Sequence, residues 1–148
     1  MTLPRGIRNN NPGNIRKSSV LWMGQALPGS ALDKTDPEFV VFNDASYGLR
    51  ALALTLWHYQ TIHGIKTLRG FIKRWAPPEE NDTTAYVENA CTVCDVQPDN
   101  IFDLDTSNFY NLVVAIIRQE NGEQPYSSDL ISRAIQMARQ SDGPGAAA

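Results

Sequence analysis

The carboxylate in this sequence best placed to do chemistry is Glu120. It closes the run Leu112-Val-Val-Ala-Ile-Ile-Arg-Gln-Glu-Asn-Gly122. Leu112, Val113, Ile116 and Ile117 form an apolar stripe at helical spacing, and Glu120 falls four residues after Ile116 and three after Ile117. On a helix that is the same face as the stripe. Gly122 is a stop signal, so Glu120 also belongs to the last turn, where the helix dipole disfavours negative charge. Desolvation and the dipole both act against the ionised form there. A carboxylic acid kept protonated near neutral pH is what the general acid of glycosidic bond cleavage requires. The simpler alternative is a frayed last turn that leaves Glu120 in water.

The other acids have plainer explanations. Glu79 and Glu80 lie in a Pro-rich polar loop and are expected to be solvated. Asp82 reads as a helix cap and Glu88 falls on a polar helix face. Asp33, Asp36, Glu38 and Asp44 flank a short β-type stretch, Glu38-Phe-Val-Val-Phe42.

A second candidate feature is Arg5-Gly-Ile-Arg-Asn-Asn-Asn-Pro-Gly-Asn-Ile-Arg16, which holds four asparagines, two glycines and a proline in twelve residues. These residues disfavour helix and strand, so the segment reads as a polar loop rather than a core element. Its asparagines either close Asx-turns or offer amide donors and acceptors to a ligand. Cys91 and Cys94 form a CxxC, and His58 and His63 are the only histidines. Together they make a zinc site conceivable. Small apolar cysteines one helical turn apart are the sufficient reading, so neither metal nor cofactor is expected.

The elements that must position these residues are mostly helices. Tyr47–His63, a short segment after Thr67 carrying Leu68, Phe71, Ile72 and Trp75, Thr83–Cys94, a segment capped by Ser107 and running to Glu120, and a last one after Ser127 carrying Leu130, Ile131, Ala134, Ile135 and Ala138 all show helical periodicity. Asn43-Asp-Ala-Ser46 supplies a cap, Gly64 a stop, and Pro77-Pro78 a break. Trp75 is expected to anchor the core. The expectation is a mainly α fold of five helices with a small β or loop-rich N-terminal part. A single domain over 1–142 and a disordered tail over 143–148 follow from the composition.

With 148 residues, 42% hydrophobic content and a formal charge of −3, the chain suits one globular core and offers no basic surface for nucleic acid. No apolar run approaches the ~18 residues of a membrane span. Met1-Thr-Leu-Pro-Arg5 lacks a signal-peptide pattern. The chain is therefore expected to be made in the cytoplasm and delivered by other means to any site outside it.

The blocks RGIRNNNPGNIR, Trp22-x-Gly24, FVVF, GLRAL, RWAPPEENDTTAY and AIIRQENGEQPY resemble a family of phage-encoded, virion-associated proteins with a lysozyme-like fold, over roughly Pro4 to Tyr126. A second likeness is to flagellar-type glucosaminidases, in which a Glu-Ser-Gly helix end precedes an Asn-Asn-x-x-Gly-Ile block and a Trp-x-Gly. Here Glu120-Asn-Gly122 comes last instead of first, the order of a circularly permuted lysozyme-type domain. The resemblance implies a lysozyme-like α+β domain that cleaves the MurNAc–GlcNAc backbone of peptidoglycan as a lytic transglycosylase or muramidase. It implies Glu120 as catalytic acid, with Asn10, Asn11, Asn14, Trp22 and Tyr126 in the substrate groove. Arg5, Arg8 and Arg16 are expected on the solvated surface, with peptide carboxylates of peptidoglycan as alternative partners. Implied partners are glycan strands and other phage virion proteins, and the implied place of action is the periplasm or cell wall. Alternatives are a non-catalytic virion or glycan-binding protein of the same fold, and a secretion-system effector.

Overall fold

The computed structural model describes residues 2–141. Residue 1, residue 142 and the tail expected over 143–148 lie outside them. Among the described residues the helices are α1 (Arg5–Arg8), α2 (Ala45–Thr61), α3 (Leu68–Trp75), α4 (Thr83–Cys94), α5 (Thr106–Asn121) and α6 (Ser128–Arg139), with one 3-10 turn at Asp33–Thr35. The chain is mainly α, as its periodicity predicts.

The caps explain most of the helix boundaries. Asp44 accepts from the Ser46 amide at 3.0 Å, Thr67 from Gly70 at 3.1 Å, Asp82 from Ala85 at 3.1 Å and Ser127 from Leu130 at 3.1 Å. For α5 the cap is Asp105, which accepts from the Asn108 amide at 2.8 Å, not Ser107. An ionised carboxylate suits the positive helix end better than a hydroxyl. Gly122 ends α5 in the left-handed region at φ 75°, and its amide bonds to the Arg118 carbonyl.

Helix α5 runs through the core. Phe109 and every residue from Leu112 to Ile117 are buried, and α5 packs against α1, α2, α4 and α6. The long α2 packs chiefly on α6. A smaller cluster of Val40, Phe42 and Ala51, joined by Ile15, Trp22 and Tyr47, forms under the N-terminal segment.

That N-terminal segment departs from expectation in two ways. First, Arg5–Arg8 is a sixth helix, a single turn with no side-chain cap bond. One turn is too short to stand alone, and tertiary contacts hold it. Arg5 makes a two-pronged ion pair with buried Asp36, at 2.6 and 2.7 Å. A Cβ on Gly6 would collide with the Asn121 side chain and meet the Asn11 carbonyl at 2.8 Å, so only glycine permits this approach of α1 to α5.

Second, the expected β segment is an extended chain with isolated bridges, Arg16 to Phe39 and Gln25 to Phe42, rather than a sheet. Its backbone bonds reach Ile15 and Lys17 on one side and Ala26 on the other, each at 2.9 Å. Asparagine side chains satisfy carbonyls that a neighbouring strand would otherwise meet. Asn10 donates to the Phe42 carbonyl at 3.1 Å and Asn11 to those of Val40 and Ile15 at 2.9 and 3.0 Å. The Asn-rich loop is thus part of the packed interior, with Asn9, Asn11, Pro12 and Gly13 buried.

Candidate functional site

Glu120 lies half-buried in the last turn of α5. Each carboxylate oxygen accepts one hydrogen bond. Asn14 Nδ2 donates to Oε1 at 3.2 Å, and the Tyr86 hydroxyl donates to Oε2 at 3.0 Å. The two donors come from opposite parts of the chain, the N-terminal loop and α4. The fray that would leave Glu120 in water does not occur.

Local structure makes each contact possible. Asn14 sits in the left-handed region at φ 50°, which asparagine tolerates better than most residues. Its amide donates to the Asn11 carbonyl at 2.9 Å, closing the turn. The next residue of α5 fixes the loop as well. Asn121 is buried and its amide donates to the Pro12 carbonyl at 2.8 Å and the Ile117 carbonyl at 3.0 Å. The side-chain oxygens of Asn14 and Asn121 are buried without a donor, so this junction is not fully satisfied, as functional sites often are not.

Tyr86 is buried on α4. Burial, and then the Glu120 carboxylate, hold its hydroxyl well above the ordinary tyrosine range. It therefore stays protonated. A hydroxyl both donates and accepts, so Tyr86 can serve either protonation state of Glu120.

The carboxylate opens onto a cleft of about 420 Å³. One wall is the 13–16 loop with Trp22 and Phe39. The other is Thr55 and Tyr59 of α2, Trp75 at the end of α3, and Glu80 and Asn81 of the α3–α4 loop. Trp75 packs on the core, as expected, and also faces this cleft. Gly13 lies against its ring, where a Cβ would approach Cη2 to 2.9 Å.

The sequence-predicted residues divide. Glu120, Asn14 and Trp22 meet at the cleft. Asn10 and Asn11 do not line it; their amides are spent on backbone carbonyls. Tyr126 does not line it either. Its ring packs on the helical core and its hydroxyl is buried without a partner, which raises it to about 12. Arg5, expected on the solvated surface, is the partner of Asp36. Residues missed were Tyr86 and Tyr59, which at helical spacing look like ordinary core aromatics; Glu80, expected to be solvated, is exposed and also lines the cleft.

A larger depression of about 790 Å³, lined by Arg69, Glu88, Cys91, Asp95 and Ile101, shares no residue with this cleft. Arg69 there is tied to Asp99 at 2.7 and 3.0 Å. Burial raises the Cys91 thiol, and burial followed by Cys91 raises Cys94 to about 12, so neither thiol is poised as a nucleophile. Among the described residues no three His, Cys, Asp or Glu side chains gather as a metal site. The smaller cleft, with its buttressed carboxylate and aromatic walls, is the better candidate.

No family model matches the chain. It is 35% identical over 135 residues to Protein P5 of Pseudoalteromonas phage PM2, an alignment spanning 89% of this chain and 80% of that protein. The chain belongs to the Protein P5 family. A bacteriophage relative agrees with the phage character expected from the sequence blocks, and the helices of the chain agree with the expected mainly α class. No helix among the described residues is long and apolar enough to cross a membrane. For this member of the Protein P5 family, the chemistry must be argued from the cleft itself.

Proposed function

We propose that the chain is a peptidoglycan-cleaving glycosidase of the lytic transglycosylase or muramidase type, a permuted lysozyme-like domain with Glu120 as its acid. The observation that carries this reading is a half-buried carboxylate, buttressed by Asn14 and Tyr86, at the floor of an aromatic-walled cleft. Trp22, Tyr59 and Trp75 supply flat faces for sugar rings, and Asn81 an amide for hydroxyl or N-acetyl groups.

The hydrogen bonds suggest which oxygen carries the proton. With the Asn14 amide as oriented, Oε1 faces an N–H that only donates. Oε2 faces a hydroxyl that can rotate and accept. The acid proton therefore belongs on Oε2. Its transfer to the glycosidic oxygen breaks the bond to the anomeric carbon and leaves Glu120 ionised, with both neighbours donating. The carboxylate then takes a proton from the sugar's own 6-hydroxyl, giving an anhydro end, or from water, giving a reducing end. Glu80 lines the same cleft and is the carboxylate available for the water route.

A second reading is favoured by the same contacts. Because both Glu120 oxygens are engaged within the protein, the residue also suits a structural clasp in a non-catalytic glycan-binding virion protein. Mass spectrometry of purified peptidoglycan after digestion separates the readings. Anhydro-MurNAc ends indicate a transglycosylase, reducing MurNAc ends a muramidase, and no new ends a binding protein. Delivery to the cell wall with the virion, alongside other virion proteins, completes the proposed role.

A further inference from the structure

The cleft has a charge asymmetry that the glycosidase reading does not use. Among the described residues that line it, Arg16 is the sole cation, and it stands on the wall of the 13–16 loop and Phe39. The acids Glu80 and Glu120 come from the α3–α4 loop and the end of α5.

Arg16 is braced but not consumed. Its guanidinium carbon lies 4.8 Å from the centre of the Phe39 ring, a cation–π contact that fixes where the charge stands. Its ion-pair partner is Glu38 at 3.3 Å, and the two side chains are 61% and 57% exposed. Such a pair is weak. Glu38 also lies 3.6 Å from Arg5, so it keeps a cation when Arg16 turns away. Exchange of Glu38 for another carboxylate at Arg16 therefore costs little. Arg5 differs, since its fork is closed on Asp36, and Arg8 does not line the cleft.

We propose that Arg16 reads a carboxylate carried by the glycan strand, so that the cleft prefers an acidic glycan to a neutral polymer of N-acetylglucosamine. The inference rests on the glycosidase reading for the identity of the ligand and deepens it by naming the residue that recognises the acidic group of the strand. The carboxylate belongs either to a stem peptide or to the lactyl group of muramic acid, and the guanidinium fork suits both.

The test measures binding in a Glu120→Gln background, which removes turnover, with and without Arg16→Gln. Three ligands of matched length are used: strands bearing stem peptides, strands stripped by an amidase to leave free lactyl carboxylates, and chito-oligosaccharides. The expected result is a loss on carboxylate-bearing strands that exceeds the loss on chito-oligosaccharides about tenfold, and that shrinks as salt is raised. Selective loss on peptide-bearing strands alone names the stem peptide, selective loss on stripped strands alone names the lactyl group, which is a carboxylate only once the peptide is removed, and loss on both shows that Arg16 takes either. Arg16→Lys, which keeps the charge without the fork, recovers part of the preference. Equal losses on all three ligands, or no binding to any, overturn the role. Cleavage by the wild type is scored separately. Cleavage with equal losses removes the Arg16 role and leaves the glycosidase, whereas selective loss without cleavage removes the glycosidase and leaves the Arg16 role.

Discussion

Asn14 and Glu120 are separated by 106 positions in sequence and joined by a 3.2 Å hydrogen bond. The loop that opens the chain and the helix end that carries the carboxylate form one structural unit. Gly6 allows α1 to approach α5, Asn121 holds the Pro12 carbonyl, and Asn14 reaches the carboxylate.

Asn11 and Asn14 are neighbours in the loop with different work, and substitutions should separate them. Asn11→Ala removes the donor to the Val40 carbonyl and both side-chain bonds to the Ile15 backbone, whose carbonyl keeps the Val40 amide, and is expected to cost about 2–3 kcal/mol of stability in denaturant unfolding. Asn14→Gly keeps the left-handed backbone and removes the bond to Glu120. It should change stability by under about 1 kcal/mol yet lower wall cleavage on the order of tenfold, through a mispositioned acid. Equal stability losses for the two would contradict this division.

Tyr86→Phe removes only the hydroxyl that faces Oε2. The ring still fills its buried place on α4, so the stability cost should be about 1 kcal/mol. Wall cleavage should fall on the order of tenfold, in kcat more than in KM, because the ring is not among the cleft-lining residues. Unchanged kcat would remove Tyr86 from the mechanism.

Asp36 makes the fold acid-sensitive. The Arg5 guanidinium first, then the Phe39 and Glu38 amides and Asn9, hold its carboxyl well below the usual carboxylate range. A depressed carboxyl contributes stability that is fully present above its unfolded value near ~3.9 and is lost as pH falls below that value towards the folded one. Asp36→Asn should cost about 2 kcal/mol at pH 7, a figure reduced for the partial exposure of Arg5. It should also flatten the decline in stability of the wild type on acidification below pH ~4. An unchanged acid limb in the variant would show that other carboxylates control it.

Much of the helical framework is legible in the sequence because its signals are local. Asp44, Thr67, Asp82 and Ser127 cap from within a few residues, and Gly64 and Gly122 mark stops. The stripe from Leu112 to Ile117 places Glu120 on the buried face without reference to any other segment. What is not legible is non-local. The turn Arg5–Arg8 exists because Asp36 holds it from 31 residues away. Asn10 and Asn11 look like ligand-binding amides until the extended segment at Val40 and Phe42 presents its carbonyls to them. Tyr86 and Val87 carry the same apolar signal, yet only Tyr86 reaches the carboxylate.

Cleavage of purified cell walls by wild type and Glu120→Gln, side by side, tests the central claim most directly. The amide keeps the size of the side chain and can still pair with Asn14 and Tyr86, so folding should be preserved within about 1 kcal/mol. It cannot donate an acidic proton, and a general acid contributes ~10²–10⁴-fold in rate. The predicted result is a folded variant whose release of glycan ends is lost to at least the lower of those factors. A folded Glu120→Gln protein that cuts walls at near wild-type rate would contradict the assignment of Glu120 as the acid.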